Sequence, residues 1–255
     1  MKVDFGKTSN DYRIHRAGFS DEFFERAAGF GIGTGDQDML DLGTGTGTLA
    51  RTFALRGNRV TASDISEPQI EQARELDRDT GASVDYRIAP AEDTGLPGAA
   101  FDVITTGQCW HWFDRPKAAA EAMRLLRPDG RLAICHFDWL PFPGSVVEAT
   151  EALILRHNPQ WAGSGGTGIY PDWFTDMAVG GFQDIESFTF DVATTYSHEA
   201  WLGRASAGIA ASLPDAAVEA FNSEHAALLS DQFPADPLTC PHRVFAVMGR
   251  KPCED

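Results

Sequence analysis

A glycine-rich turn between a short apolar run and a helical segment constrains the fold of this chain most. The run at residues 39–42 carries one acid, Asp41, and three alternating glycines follow it between positions 43 and 47. Helix-forming residues begin directly after them, at Leu49. This order predicts a buried parallel strand, a turn that only glycine can make, and a helix. Such a turn brings backbone N–H groups and a helix N-terminus against a nucleotide-like ligand.

The spacing of the glycines separates two classes of cofactor. A dinucleotide fingerprint needs a third glycine three residues after the second, and Thr48 occupies that position here. Asp41 would also repel a pyrophosphate, whereas it suits a ligand that carries an ammonium and a sulfonium. A dinucleotide-dependent oxidoreductase therefore stays only as an alternative.

A second acid follows at the end of the next predicted strand. Asp64 ends the segment 59–64 and lies about twenty residues after the turn, where a strand-end carboxylate can accept both hydroxyls of a ribose. Ser66 as N-cap and Pro68 in the first turn then indicate the start of a helix. Further alternation of strands and helices up to residue 137 predicts a doubly wound parallel sheet.

In this order, residues 39–137 resemble the core of class I S-adenosylmethionine (SAM) methyltransferases, and the pattern acid-x-Gly-x-Gly-x-Gly resembles their first motif. The resemblance implies an α/β fold, a Rossmann-like, doubly wound, mainly parallel seven-stranded sheet with a helical lid insertion. It implies SAM as cofactor and S-adenosylhomocysteine as product. The cofactor-binding residues that it implies are Tyr12, Arg16, Asp41, Gly43, Thr44, Gly45, Asp64, Ile65, Ala91, Glu92, Gly107 and Gln108.

The resemblance also assigns parts of the cofactor to these residues. Asp64 would hold the ribose, Ile65 would lie against the adenine face, and Gly107 with Gln108 would lie beside the methionine portion. The usual acid of the adenine loop is replaced by Pro90, whose side chain cannot accept a hydrogen bond. Adenine recognition is therefore expected to shift to the backbone of Ala91 and the carboxylate of Glu92.

Residues 107–114 resemble a small-molecule subgroup that includes relatives of trans-aconitate methyltransferase. Tyr12 and Arg16 match the Tyr-x-x-x-Arg pattern of that subgroup, which folds over the methionine end of SAM. His111 is the candidate catalytic residue, as a general base that takes a proton from the acceptor. A structural role between Trp110 and Trp112 is the other interpretation, because positioning alone can supply much of the rate with an activated sulfonium.

Beyond residue 137 the chain becomes rich in aromatic residues and glycines. The resemblance implies a lid over the substrate there, and the candidate lid residues are Trp110, Trp139, Tyr170, Trp201 and Arg204. Four cations of this region could meet an anionic substrate: Arg156, His157, His198 and Arg204. The segment 242–251 is apolar enough for a last, antiparallel strand. We therefore expect one structural domain made of an N-terminal helical cap (1–34), a SAM-binding core (35–140), a lid with a late strand (141–235) and a final strand with a tail (236–255).

Composition restricts the partners. The formal charge of −16 without a cluster of Lys and Arg argues against nucleic-acid substrates and favours a small-molecule acceptor. The chain lacks both an apolar run of about 18 residues and a signal-peptide pattern, so we expect no membrane association and a cytoplasmic location. Asp114 and Asp138 alone do not make a metal site, and we expect none. A monomer or homodimer is expected, and a SAM-binding protein without transfer activity stays as an alternative.

Overall fold

The computed structural model describes residues 18–210 and 213–253. Seven strands form one sheet: β1 (Asp38–Leu42), β2 (Arg59–Asp64), β3 (Val84–Ile88), β4 (Phe101–Gly107), β5 (Leu126–Trp139), β6 (Gln183–Tyr196) and β7 (Leu238–Arg250). The helices of the described residues are α1 (Asp21–Gly29), α2 (Thr48–Leu55), α3 (Glu67–Thr80), α4 (Arg115–Leu125), α5 (Val146–His157), α6 (Asp172–Val179), α7 (His198–Ala210) and α8 (Asp215–Gln232). A short 3₁₀ helix spans Trp110–Trp112.

The sheet has the strand order β3-β2-β1-β4-β5-β7-β6, and the first five of these strands are parallel. Strand β7 runs antiparallel to β5, because the N–H of Leu140 donates to the carbonyl of Pro241 and the N–H of Lys251 donates to that of Gly130. The predictions of a seven-stranded, mainly parallel sheet and of an antiparallel last strand are both confirmed.

The parallel register brings the ends of three strands to one edge. Leu42 lies opposite Ser63, and Asp41 lies opposite Thr105, so β1, β2 and β4 end side by side at the usual strand spacing of about 4.8 Å. Strand order reverses at β1, since β2 lies on one side of it and β4 on the other. Ligands of open α/β sheets bind outside the carboxyl ends of the strands at such a switch point.

Burial explains why these segments read as apolar runs. Leu40 and Leu42 of β1 and Ile104 of β4 are fully buried, as expected for parallel strands covered on both faces. In α3, which begins after Ser66 as predicted, Ile70 and Ala73 form the buried face. The hydroxyl of Ser66 makes no capping hydrogen bond; instead, its backbone N–H donates to the carboxylate of Asp64 at 2.8 Å.

The described residues divide into two compact units. The larger unit, here called the sheet-core unit, comprises Gly18–His136, Tyr170–Thr189 and the chain from Val244. The smaller unit, here called the helical unit, comprises Phe137–Ile169 and Phe190–Arg243 and contains α5, α7 and α8. The four segment boundaries stated in the sequence analysis remain predictions. Among the described residues, no helix has both the length and the apolar character that crossing a membrane requires.

A buried polar chain crosses the core of the helical unit. The indole N–H of Trp201 donates to the hydroxyl of Thr150 at 2.9 Å, and that hydroxyl lies 3.0 Å from Nε2 of His225. Trp201, Thr150 and His225 are all fully buried. Because a charged imidazole is poorly solvated there, burial lowers the pKa of His225 to about 4.

We expect this histidine to make the protein less stable in mild acid. Between its unfolded pKa of 6.5 and its folded pKa of about 4, only the unfolded chain binds the proton, so the free energy of unfolding falls as pH falls. His225→Leu removes the titrating group. The pH dependence of unfolding between about pH 7.5 and about pH 5 should flatten by on the order of 2 kcal/mol, measured by urea denaturation. Parallel pH profiles of the two proteins would contradict this assignment.

Candidate functional site

The glycine turn lies between β1 and α2 at the edge where three strands end. All three glycines have positive φ (66°, 57° and 79° at Gly43, Gly45 and Gly47), a region that side chains disfavour. A Cβ at Gly43 would lie 2.8 Å from Sγ of Cys109, and one at Gly45 would lie 2.8 Å from Oε1 of Gln69. The turn therefore needs glycine both for its dihedral angles and for its close packing. Thr44, within it, is buried and donates its N–H to the carbonyl of Ser63.

Asp41 lies beneath this turn and does not line the open edge. It is 2 % exposed, and its carboxylate accepts a hydrogen bond of 2.7 Å from the hydroxyl of Thr105 on β4. Burial raises the pKa of Asp41 to about 6. The hydrogen bond of Asp41 thus connects β1 to β4. The turn lies between its carboxylate and the open edge of the sheet.

Arg51 of α2 holds the far side of the turn. Its Nε donates to Asp77 of α3 at 2.7 Å, and its Nη2 donates to the backbone carbonyls of Thr46 and Ala73. Both partners of the ion pair are largely buried, with 12 % and 8 % of their side chains exposed. A buried guanidinium with several acceptors forms strong, directional hydrogen bonds. Arg51 therefore fixes the position of Thr46 at the end of the turn that leads into α2.

Asp64 lies at the end of β2, facing the turn. Its Oδ2 accepts the N–H of Gly45 at 2.8 Å, and its Oδ1 accepts the N–H of Ser66 at the same distance. Burial raises the pKa of Asp64, while these backbone donors lower it. Each carboxylate oxygen can accept a second hydrogen bond, which leaves the pair able to receive two vicinal hydroxyls. The next residue, Ile65, is 66 % exposed and can pack on a planar ligand.

The predicted adenine loop follows β3. Ala91 is buried, and Glu92 uses Oε1 to accept the backbone N–H of Asp114 at 2.8 Å, where α4 begins. Glu92 therefore joins its loop to the helix that follows β4. This carboxylate was predicted to bind adenine, and its contact with Asp114 was not predicted.

The end of β4 has an unusual backbone. Gln108 adopts φ 61°, which a non-glycine residue rarely does, and its N–H donates to the carbonyl of Cys135. A Cβ at Gly107 would lie 2.5 Å from Cδ1 of Leu49 in α2, so only glycine fits between the strand and the helix. Strained residues of this kind cluster at ligand sites, which agrees with the predicted place of Gly107 and Gln108 beside a ligand.

The three residues of the 3₁₀ helix after β4 differ in burial. Trp110 is fully buried, and its indole N–H donates to Asp176 of α6, so it packs inside the sheet-core unit. That place differs from the substrate lid to which the sequence analysis assigned it. His111 is exposed, and its ring lies 4.8 Å from the ring of Trp112, which is 55 % exposed.

A largely buried cluster of rings near the end of β5 adjoins His111. The His136 ring lies 5.6 Å from His111, 4.7 Å from Tyr170 and 5.6 Å from Trp173. Tyr170 stacks on Trp173 with ring centroids 4.1 Å apart. His136 and Trp173 were not among the site residues predicted from the sequence; the signal for His136 was a polar residue near the end of the apolar run 132–137.

Three further candidates, Trp139, Trp201 and Arg204, belong to the helical unit. Trp201 is a fully buried core residue there, and Trp139 packs against it at 5.2 Å. Burial in that core is the reason why Trp201 does not act as an exposed lid residue. Tyr12 and Arg16 lie outside the described residues. Among the residues that the structure describes, no group of three or more His, Cys, Asp or Glu side chains could hold a metal ion.

The residues at the strand ends fit SAM. The glycines of the positive-φ turn have no Cβ atoms where a ligand would approach, and the hydroxyl of Ser63 beside them is buried without a hydrogen-bond partner among the described residues. Asp64 is a suitable acceptor for ribose hydroxyls, and exposed Ile65 suits an adenine face. These residues can accept the hydroxyls of a ribose and cover the face of an adenine.

Comparison with known proteins agrees with this geometry. A family model described as a methyltransferase domain matches residues 40–134. A protein of Dictyostelium discoideum assigned as a methyltransferase is 33 % identical over 133 residues, which cover 52 % of this chain and 48 % of that protein. A nocamycin O-methyltransferase of Saccharothrix syringae is 37 % identical over 138 residues, covering 47 % and 49 %. The chain thus spans about half the length of these two relatives.

Two longer alignments extend the comparison. A ubiquinone biosynthesis O-methyltransferase of Xanthomonas axonopodis pv. citri is 27 % identical over 169 residues, covering 66 % of this chain and 69 % of that protein. A solved structure assigned as a type II methyltransferase of Anaeromyxobacter dehalogenans superposes with a TM-score of 0.61 at 24 % identity, covering 94 % of this chain and 99 % of that one. Residues 40–134 therefore match a methyltransferase domain, and the described residues have the fold of a solved methyltransferase structure.

Proposed function

We propose that the protein is a SAM-dependent methyltransferase that transfers a methyl group to an oxygen of a small-molecule acceptor by direct in-line attack. The observation that supports this most is the shared edge of β1, β2 and β4. There the glycine turn, Asp64 and the positive-φ residue Gln108 lie at neighbouring strand ends. The choice of oxygen is supported by the O-methyltransferases from Saccharothrix syringae and Xanthomonas.

Each part of this edge has a proposed role. SAM supplies, when bound, a methyl group on a sulfonium that is already activated. Asp64 accepts the ribose hydroxyls, Ile65 covers the adenine, and the backbone at Gly107 and Gln108 lies along the methionine portion. The exposed ring of Trp112 gives the acceptor an apolar face, and the exposed imidazole of His111 lies beside it.

The proposed function is tested by incubating the full chain with methyl-labelled SAM and a panel of small phenols, carboxylic acids and amines. Release of S-adenosylhomocysteine together with a labelled acceptor is the expected result. SAM binding without release for any acceptor would favour the alternative of a SAM-binding protein without transfer activity. The cytoplasmic location and the monomeric or homodimeric state remain predictions from the sequence.

His111 should affect turnover more than SAM affinity. Its ring is exposed beside Trp112 and His136, where it can accept a proton from an acceptor hydroxyl. We expect His111→Gln to lower kcat by about ten- to a hundredfold and to remove the acidic limb of the pH–rate profile. SAM affinity should change by less than about twofold.

A nearby exposed substitution, Lys117→Gln, provides the control, since Lys117 forms its ion pair with Asp114 at the start of α4. An unchanged rate in the His111 variant, with the same pH–rate profile as the wild type, would leave His111 a structural residue of the 3₁₀ helix.

A further inference from the structure

The basic side chains of the helical unit differ in whether they have a hydrogen-bond or ion-pair partner. Arg243 forms two hydrogen bonds with Asp191, Arg156 pairs with Glu224 at 3.4 Å, and His157 contacts the same glutamate. His198 lies 3.0 Å from two backbone carbonyls. Arg204 of α7, in contrast, makes neither an ion pair nor a hydrogen bond among the residues that the structure describes.

Aromatic faces surround Arg204 in place of an anion. Its guanidinium carbon lies 5.4 Å from the ring centroid of Trp139 and 5.8 Å from that of Tyr196. The polar atoms of these rings are engaged elsewhere, since the Trp139 indole donates to Glu151 and the Tyr196 hydroxyl lies 3.3 Å from His242. The two rings hold the cation by their faces and leave its N–H donors unused.

The burial of Arg204 makes these unused donors significant. The side chain is half-buried, and its Nε is fully buried without any acceptor. A buried donor without a partner is unfavourable, and native proteins usually satisfy it. The chain has 37 acidic residues against 21 basic ones, so an acidic partner for one more arginine would be easy to supply. The lack of one is the feature that requires an explanation.

The chemistry of the arginine restricts the ligand. A guanidinium presents parallel N–H groups that match the two oxygens of a carboxylate. A doubly charged phosphate would call for a second cation, and the other arginines of the described helical unit already have carboxylate partners. The flanking rings of Trp139 and Tyr196 suit an apolar or aromatic body next to the charged group.

We propose that Arg204, between Trp139 and Tyr196, is a binding site for the carboxylate of a small organic acid. The site goes beyond the proposed methyl transfer, which leaves the charge of the acceptor open. If this acid is also the methyl acceptor, that further step rests on the proposed function; the binding site itself does not. The carboxylate accepts N–H groups of the half-buried guanidinium, and the body of the acid packs against the partly exposed ring of Trp139.

The test is a binding titration of the full chain with phenylacetate, cinnamate and hexanoate, each compared with its neutral primary amide. Tryptophan fluorescence and calorimetry report binding, since Trp139 adjoins the site. At least one acid should bind, its amide should bind about tenfold more weakly or not at all, and Arg204→Met should lose about tenfold or more in affinity. Arg204→Lys, which keeps the charge without the planar fork, should recover only part of the loss.

Arg156→Met is the matched control, because it removes an exposed arginine of the same unit that is already paired with Glu224. It should bind the acid like the wild type, and thermal unfolding should show that each variant is folded. Equal affinity for acid and amide, wild-type affinity in Arg204→Met, or no binding of any acid at millimolar concentration would overturn the proposal. Carboxylate binding without methyl transfer to any acceptor would reject the proposed function and leave this site standing.

Discussion

Replacing Gly47 with alanine is expected to lower the free energy of unfolding by about 3 kcal/mol and to weaken SAM binding with it. Gly47 begins α2 with φ 79°, where an alanine is strained. The added Cβ would also clash with the hydroxyl of Tyr86 and lie 3.2 Å from both Cβ of Ala73 and Nη2 of Arg51. Because Arg51 clamps the carbonyl of Thr46, relief of the clash must move the turn itself. Urea denaturation and calorimetric titration with SAM measure the two effects.

The backbone strain can be separated from the clash with a second alanine. Gly81, after α3, has a similar φ of 73°, and a Cβ there would meet open space. Gly81→Ala should cost about 1 kcal/mol and leave SAM affinity unchanged. Equal losses in the two variants would mean that the packing around Tyr86 does not constrain the turn.

Local features of the site could be predicted because their physical causes are local in sequence. Positive φ at alternating positions requires glycine, and an acid at a strand end lies at the edge where the next helix begins. Residue order alone therefore predicts the turn at Gly43–Gly47 and the place of Asp64. It also predicts the sheet that carries them.

The partners of these residues could not be predicted, because they depend on packing between distant segments. Asp41 was expected to face the cofactor, but Thr105 on β4 takes its carboxylate beneath the turn. Glu92 reaches Asp114, and His136 meets Tyr170 across more than thirty residues of chain. For the same reason, nothing in the sequence distinguished Arg204 from Arg156, which differ in burial and in whether an acid lies within reach.

Asp64→Ala is expected to weaken SAM binding by about a hundredfold, the effect of losing two hydrogen bonds to a charged acceptor. The carboxylate is the acidic group at the carboxyl end of β2, and it also receives the N–H groups of Gly45 and Ser66. Part of the loss could therefore come from a displaced turn, so affinity alone does not identify the ribose as the partner. Calorimetric titration with S-adenosylhomocysteine and with its 2′-deoxy analogue separates the two contributions.

The wild type should lose about tenfold in affinity when the 2′-hydroxyl is missing, whereas Asp64→Ala should bind both compounds equally. Asp93→Asn is the matched control, since Asp93 is an exposed acid of the adjacent loop and should keep the full discrimination. If Asp64→Ala still discriminates tenfold between the two compounds, another residue binds the ribose and Asp64 only supports the turn. If discrimination disappears while the free energy of unfolding is unchanged, the carboxylate acts on the ligand directly, because a displaced turn would also have lowered stability.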